Sequence, residues 1–486
     1  MNIAAISTPA GMGGIAVIRV SGPDAIRIAD SLFSPARPGH TLTERPSHTL
    51  TLGHIADGAE TVDEVVVALF RAPHSFTGED VVEISCHGSS YIHQRILDLL
   101  LARGCRLAEP GEFTRRAFRS GRMDLAQAEA TCDLIAATTA AGHRLAMQQM
   151  RGGVSQRLAE LRSRLVEMSA LLELELDFGE EDVEFADRRQ LLALADELHA
   201  QLSGLAQTFR TGDAIKAGLP VAIIGETNAG KSTLLNALVG DERAIVSDVH
   251  GTTRDVVEDT ATLDGRLLRL VDTAGIRDTS DRVEAMGIER TYRRLDGAAV
   301  VLWVIDGTRL GDAALTEALV DDALGTLRRI EPYLHAEQRI VVVVNKADLV
   351  APAQLEERLP ELRDAVQAAL SSLSGLAPLA DTLASVVLSA KHGSGLDALR
   401  NALLDAIRIP QLQDGDVVIS NVRHYHALND ADAAILRARC ALNDGLAADL
   451  VAQDLRQCAF HLGTIVGTVT TDELLGTIFS RFCIGK

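Results

Sequence analysis

The stretch GETNAGKS, residues 225–232, decides the fold of the middle of this chain of 486 residues. It fits the pattern G-x-x-x-x-G-K-[ST], and it stands between an apolar, strand-like run, LPVAIIG, and a helix-like run, KSTLLNALVG. Backbone amides at a helix N-terminus cradle phosphates, Lys231 neutralises the β and γ groups, and the Ser232 hydroxyl suits magnesium. Strand, loop and helix then alternate through LLRLVDTAG, AAVVLWVID, RIVVVVNKAD and SVVLSAKHGSGLDALRNALLDAI. That alternation predicts a doubly wound, Ras-like α/β unit over 218–409.

Three further motifs follow in the order a guanine-nucleotide site needs. GTTRD (251–255) lies where a mobile loop brings Thr253 to the metal and the γ-phosphate. VDTAGIRD (271–278) delivers Asp272 to the end of an apolar strand, and Gly275 offers a flexible backbone amide. NKAD (345–348) closes the run RIVVVV and reads the base. The Asp348 carboxylate accepts from guanine's ring N–H and exocyclic amine, whereas adenine leaves that anion unpaired. SAK (389–391) backs the base with a main-chain amide. The expected GTP-binding set is Asn228, Ala229, Gly230, Lys231, Ser232, Thr233, Ser247, Thr252, Thr253, Asp272, Thr273, Ala274, Gly275, Asn345, Lys346, Asp348, Ser389, Ala390 and Lys391.

After Gly275 stands Ile276, where many nucleotide hydrolases carry a glutamine that orients the attacking water. A supplied arginine finger is worth about 10³ to 10⁵ in rate, or about 4 to 7 kcal/mol, so another group must substitute. Arg277, Asp278, Asp281, Arg282 and Glu284 all lie just downstream, and a carboxylate among them can orient water or take a proton. The residues alone do not choose between them.

Outward from this unit the texture changes. Residues 1–120 mix strand-like runs such as GIAVIRV and DVVEISCHG with a helical run, SSYIHQRILDLLLARG, and read as an α+β domain. Residues 121–217 and 410–486 are amphipathic helices whose apolar stripes need burial. One helical domain with the α/β unit inserted into it satisfies both. The composition, 47% hydrophobic, suits large cores. A net charge of −20 argues against bulk attraction to nucleic acid or an anionic membrane. Six cysteines without a C-x-x-C pair, and no apolar run of about 18 to 20 residues, predict a reduced, cytoplasmic protein without a membrane span.

SFTGED (75–80), PGEFTRRAF (110–118), MDLAQAEA (123–130) and the terminal FCIGK (482–486) resemble the tRNA-modification GTPase family called MnmE or TrmE, essentially end to end. The resemblance implies that the chain acts with an FAD-dependent partner, MnmG or GidA, in a heterotetramer. Together they would add an aminomethyl or carboxymethylaminomethyl group at C5 of the wobble uridine, position 34, of certain tRNAs. It implies a homodimer formed by the N-terminal domain, where 5-formyltetrahydrofolate or a related tetrahydrofolate binds at Arg19, Glu83, Arg122 and Lys486. Lysine is common in the family where Arg122 stands, so the charge is kept but its geometry differs. It also selects Glu284 as the catalytic group and puts K⁺ in place of the arginine finger. The potassium ligands it implies are Asn228, Ser247, Val249 and Thr252; those of Mg²⁺ are Ser232 and Thr253. Cys483 is then either a packed cysteine or a folate-proximal thiol in the uridine chemistry.

Duller readings stand beside these. Cys86, His87 and His93 lack further ligands at sensible spacing and suit packing or surface roles. GMGG (11–14) is a turn, Trp303 a core residue, and EEDVE (180–184) a solvated turn. The rival function is a GTP-dependent RNA or ribosome assembly factor without modification chemistry. Such proteins normally append a basic RNA-binding module, which the sequence does not show.

Overall fold

The computed structural model describes residues 1–9, 11–37, 39, 41–178, 188–240, 259–272, 295–406, 413, 415–480, 482 and 485. They divide into two compact units. The first comprises Met1–Ile135, Ala146–Ser203 and His426–Lys486; the second comprises Ala136–Leu145 and Gly204–Tyr425.

The first unit opens on a seven-stranded sheet of β1 (Ile3–Ile6), β2 (Gly13–Ser21), β3 (Phe33–Pro35), β4 (Thr49–Asp57), β5 (Glu60–Phe70), β6 (Val81–Gly88) and β7 (Arg106–Leu107), in the order β3-β4-β5-β6-β2-β1-β7. Every pairing is antiparallel except that of β1 with β7. Side chains alternate between faces along a strand. Val65, Val67 and Leu69 of β5 therefore join Ile84 of β6 and Ile18 of β2 on one buried face. The helix Ser90–Ala102 covers that face with Ile96, Leu97 and Leu100, three or four residues apart as an amphipathic helix requires. The other face leaves Leu50 of β4 71% exposed and Ile15 of β2 70% exposed.

The helical part of the same unit draws on both sides of the inserted segment. In the helix Gly153–Phe178, Leu158, Leu161, Leu165, Met168 and Leu172 are buried, and they face the helix Ala448–Val466 with its buried Val451, Leu455, Cys458 and Leu462. The helix Arg188–Gln207 buries Leu191, Ala195, Leu198 and Leu202 at the same spacing.

The second unit holds a six-stranded sheet of β8 (Leu219–Gly225), β9 (Asp259–Leu263), β10 (Arg266–Asp272), β11 (Val300–Asp306), β12 (Arg339–Asn345) and β13 (Ala384–Val387), in the order β13-β12-β11-β8-β10-β9. Only the β9–β10 hairpin is antiparallel. Helices cover both faces of a parallel sheet, so its central strands are apolar at every position rather than at alternate ones. VVLWVI in β11 and IVVVVN in β12 are buried throughout, Trp303 among them. The layout of an α+β domain, a helical domain and an inserted α/β unit is the one read from the sequence.

Candidate functional site

The C-terminal ends of β8, β11, β12 and β13 converge, and the polar motifs sit where these strands stop. β8 ends at Gly225, whose φ of +148° is one that side-chain-bearing residues rarely adopt; a Cβ there would lie 2.1 Å from the Val304 carbonyl oxygen. The loop then passes Asn228, at φ +63°, and Gly230, at φ +96°, before the helix Lys231–Gly240 begins. A Cβ on Gly230 would lie 2.2 Å from Asn345 Nδ2. The two glycines thus keep a cradle open at a helix N-terminus, where unpaired N–H groups and the helix dipole favour an anion. Lys231 Nζ donates to the carbonyls of Gly225 and Glu226, each at 2.7 Å. Those two carbonyls hold the ammonium at the start of the loop. Asn228, Ser232 and Thr233 are exposed, and Ala229 is buried.

Asn345 does not face outward. Its Nδ2 donates to the Ala229 carbonyl and its Oδ1 accepts from the Ala390 amide, both at 2.9 Å, with the residue only 3% exposed. One buried amide therefore ties the phosphate loop, the end of β12 and the SAK turn together. Leaving either of its polar atoms unpaired would cost about 1 to 3 kcal/mol. Lys346, also in the left-handed region at φ +63°, donates to Asp306 Oδ2 at 2.7 Å. Burial pushes the Asp306 carboxyl up, but the bonds from Lys346 and Thr308 outweigh it and hold the group below the usual carboxylate range.

Asp348 lies in a short 3₁₀ turn, Ala347–Leu349, beyond β12. Its carboxyl is held below the ordinary range, first by the Ser389 hydroxyl and then, against slight desolvation, by His392 and Lys391. His392 Nε2 is 3.6 Å from Asp348 Oδ2. An ionised acceptor beside the open cradle is the arrangement that guanine's two adjacent donors require. Asp272 ends β10, in register with Ile223 of β8.

Ser247, Val249, Thr252, Thr253, Thr273, Ala274, Gly275 and Glu284 lie outside the described residues, as do Cys483 and Lys486. The motif reading missed the ion pair that fixes the loop's second residue. Arg309 donates to Glu226 at 2.9 and 3.1 Å and to Asp322 at 2.7 Å. No local pattern announces it, because the partners are 83 residues apart.

The residues expected to hold folate fall on the N-terminal sheet. Arg19 and Glu83 are register partners on β2 and β6, joined at 2.7 Å. The Arg19 guanidinium lies over the rings of Phe76 and Phe113, at 5.2 and 5.6 Å. Arg122 comes close to the same region, with its Cγ 3.4 Å from where a Cβ on Gly78 would be. The register runs Leu50, Ala68, Glu83, Arg19 across β4, β5, β6 and β2, so the ion pair shares the sheet's outward face with the exposed Leu50. Cys86 points to the opposite, buried face, and desolvation pushes its thiol up to about 11. Among the described residues, no group of three or more His, Cys, Asp or Glu is placed to hold a metal ion. No described helix is long and apolar enough to cross a membrane.

Residues 2–122 match the family described as GTP-binding protein TrmE N-terminus, and residues 125–483 match the MnmE helical domain. The tRNA modification GTPase MnmE of Parabacteroides distasonis is 51% identical to this chain over 487 residues, covering 100% of both. That of Bacteroides thetaiotaomicron is 50% identical over 485 residues, covering 100% of this chain and 99% of its own. Among solved structures, Aquifex aeolicus Era bound to GDP and aluminium fluoride is 26% identical over 45% of this chain and 66% of its own, with a TM-score of 0.27.

Proposed function

We propose, for a chain that belongs to the MnmE family of tRNA modification GTPases, that GTP hydrolysis here depends on K⁺ and serves a one-carbon modification of the wobble uridine. The chain is a GTP hydrolase of tRNA modification. The observation that carries the site assignment is the buried Asn345 amide, which holds the phosphate loop and the SAK turn in one piece around Lys231.

In this reading Asp348 accepts from the guanine edge and the loop amides between 226 and 232 bind the phosphates. Lys231 leaves its two carbonyls for the β and γ oxygens. Ser232 and Thr253 would hold Mg²⁺. Asn228, exposed on the open loop, would hold K⁺ together with Ser247, Val249 and Thr252. A monovalent cation there supplies positive charge where negative charge grows on the bridging oxygen. Glu284 orients or deprotonates the water, the role that Ile276 cannot fill.

Other parts of the reading rest on the N-terminal sheet. Arg19 and Glu83, with Arg122 and Lys486, would take a tetrahydrofolate. A carboxylate paired with an arginine that lies over two aromatic rings suits a flat heterocycle with adjacent N–H donors. The exposed apolar side chains Ile15, Leu50 and Leu52 on that same sheet face suit a second copy of the chain, and hence a homodimer. An FAD-dependent protein of the MnmG type would complete the uridine chemistry in the cytoplasm, with Cys483 either a packed cysteine or a folate-proximal thiol that takes part.

The test is the rate of GTP hydrolysis by the purified chain in KCl and in NaCl at equal ionic strength. The expected result is at least a tenfold advantage for K⁺, against the roughly 10³-fold and larger gains of protein-supplied fingers. Equal rates would remove the cation from the mechanism.

A further inference from the structure

We propose that an arginine-lined cleft in the N-terminal part of the first unit binds backbone phosphates of the RNA substrate. This inference rests on the reading that the substrate is a tRNA. The cleft has a volume of about 470 Å³ and is walled by Arg106, Arg115, Arg116 and Arg119, with Glu79 and Glu112 in its lining and the exposed acids Glu109 and Asp472 at its rim. In a chain of net charge −20, a polyanion needs such a local concentration of positive charge.

The four arginines fall into two kinds. Arg106 donates twice to Glu112, at 2.7 and 2.5 Å, and Arg116 bridges Glu112 at 3.1 Å and Glu79 at 2.7 Å. Glu112 is 2% exposed, so these two guanidinium groups form a fixed inner wall. The outer two pair chiefly at the rim, with Arg115 also 4.0 Å from Glu112. Arg115 pairs with Glu109, whose side chain is 59% exposed, and Arg119 pairs with Asp472, 92% exposed. Exposed pairs of this sort contribute roughly 0 to 1 kcal/mol and yield readily to a stronger anion. A guanidinium carries five donors in a planar fork that matches two phosphate oxygens at once.

On the helix Glu112–Arg119, Arg119 follows Arg115 by four residues and Arg116 by three, so its head group neighbours both. Arg106 reaches the same cleft from β7. The rim acids act as placeholders: Asp472 occupies Arg119 until a phosphate displaces it. Removing an arginine and removing its placeholder acid should therefore have opposite effects.

The experiment measures binding of an unmodified tRNA transcript to the full-length protein between 50 and 200 mM KCl. Arg119→Ala and Arg115→Ala should each weaken binding several-fold and reduce the slope of log affinity against log salt by about 0.7 to 0.9. Arg119→Lys should keep the slope but bind more weakly than the native protein. Asp472→Asn should tighten binding, with GTP hydrolysis unchanged in all four variants. If the native protein binds tRNA and the arginine variants bind with the same affinity and slope, the cleft faces some other partner, such as an acidic protein, and the assignment is overturned. If the native protein binds no tRNA, the substrate reading itself fails, and this inference with it. Inorganic phosphate at matched ionic strength should leave tRNA binding unchanged; strong competition would overturn the polymer in favour of a free-phosphate site.

Discussion

The two sheets carry chemistry in different ways, and the difference follows from which of their faces are covered. In the six-stranded parallel sheet, β11 and β12 are buried along their lengths, leaving polar groups room only where strands end. Gly225, Asp306 and Asn345 are the last residues of their strands, and the proposed phosphate cradle and base-reading turn grow from those ends. In the seven-stranded antiparallel sheet one face is open along β4 and at the start of β2, where Leu50, Leu52 and Ile15 are exposed. Arg19 and Glu83 sit mid-strand, 64 residues apart, and meet across a register rather than at a terminus. The parallel sheet therefore gathers its proposed site at one edge, and the antiparallel sheet spreads its proposed site over a surface.

The sharpest way to break this comparison is at the strand-end site. Asp348→Asn removes the acceptor for guanine's two donors and offers an amide to xanthine's extra carbonyl. Sites that hydrogen-bond a substrate group discriminate by roughly 10⁴ to 10⁵. Affinity for GTP should fall by at least about 10² while affinity for xanthosine triphosphate rises. A titration with both nucleotides checks it, and unchanged GTP affinity would take base recognition away from Asp348. Thermal stability should barely move, because the carboxylate packs against no core.

The next effect belongs to the antiparallel side. Glu112 is buried and answers to Arg106, Arg116 and the Glu109 amide. Burial pushes its carboxyl up, but the bonds from Arg106, then the Glu109 amide and Arg116, prevail and hold it below the usual glutamate range. Glu112→Gln leaves Arg106 without its paired carboxylate and Arg116 with Glu79 alone, and should destabilise the first unit by about 1 to 3 kcal/mol. The pH dependence has a definite sign. A carboxyl depressed by folding contributes stability that is complete above its unfolded value, about 4.3, and is lost as pH falls through the lower folded value. Denaturant unfolding near pH 7 and again near pH 4 checks both. A loss under about 1 kcal/mol at neutral pH would mean that the arginines find other partners.

How much was readable in advance follows the same division. GETNAGKS, NKAD and SAK are each contiguous, each closes or follows an apolar run, and the doubly wound unit could be placed from them. The helical stripes were legible because Leu158, Leu161 and Leu165 recur at helical spacing. What stayed hidden depended on pairing between distant segments. Arg309 reaches Glu226 across 83 residues and Arg116 reaches Glu79 across 37, and neither pair has a local signature. Asn345 was read as part of the base-selecting motif. Its burial between Ala229 and Ala390 shows a second duty, of holding the loops together, which spacing along the chain does not encode.

The smallest expected effects give the cleanest contrast between the sheets. Val343 in β12 is fully buried, and Val343→Ala should cost roughly 2 to 3 kcal/mol through lost burial and the cavity left behind. Leu52 on the open face of β4 is 49% exposed, and Leu52→Ser should change the stability of the isolated chain by no more than about 0.5 kcal/mol. The same substitution places a hydroxyl in the apolar row proposed to meet a second copy, so sedimentation should show a weaker dimer despite an unchanged fold. If Leu52→Ser instead costs as much as Val343→Ala in dilute, monomeric protein, the face is already covered within one chain. If stability and self-association are both untouched, the dimer lies elsewhere. A face left open to water only in the single chain is the one outcome under which stability stays still while association moves.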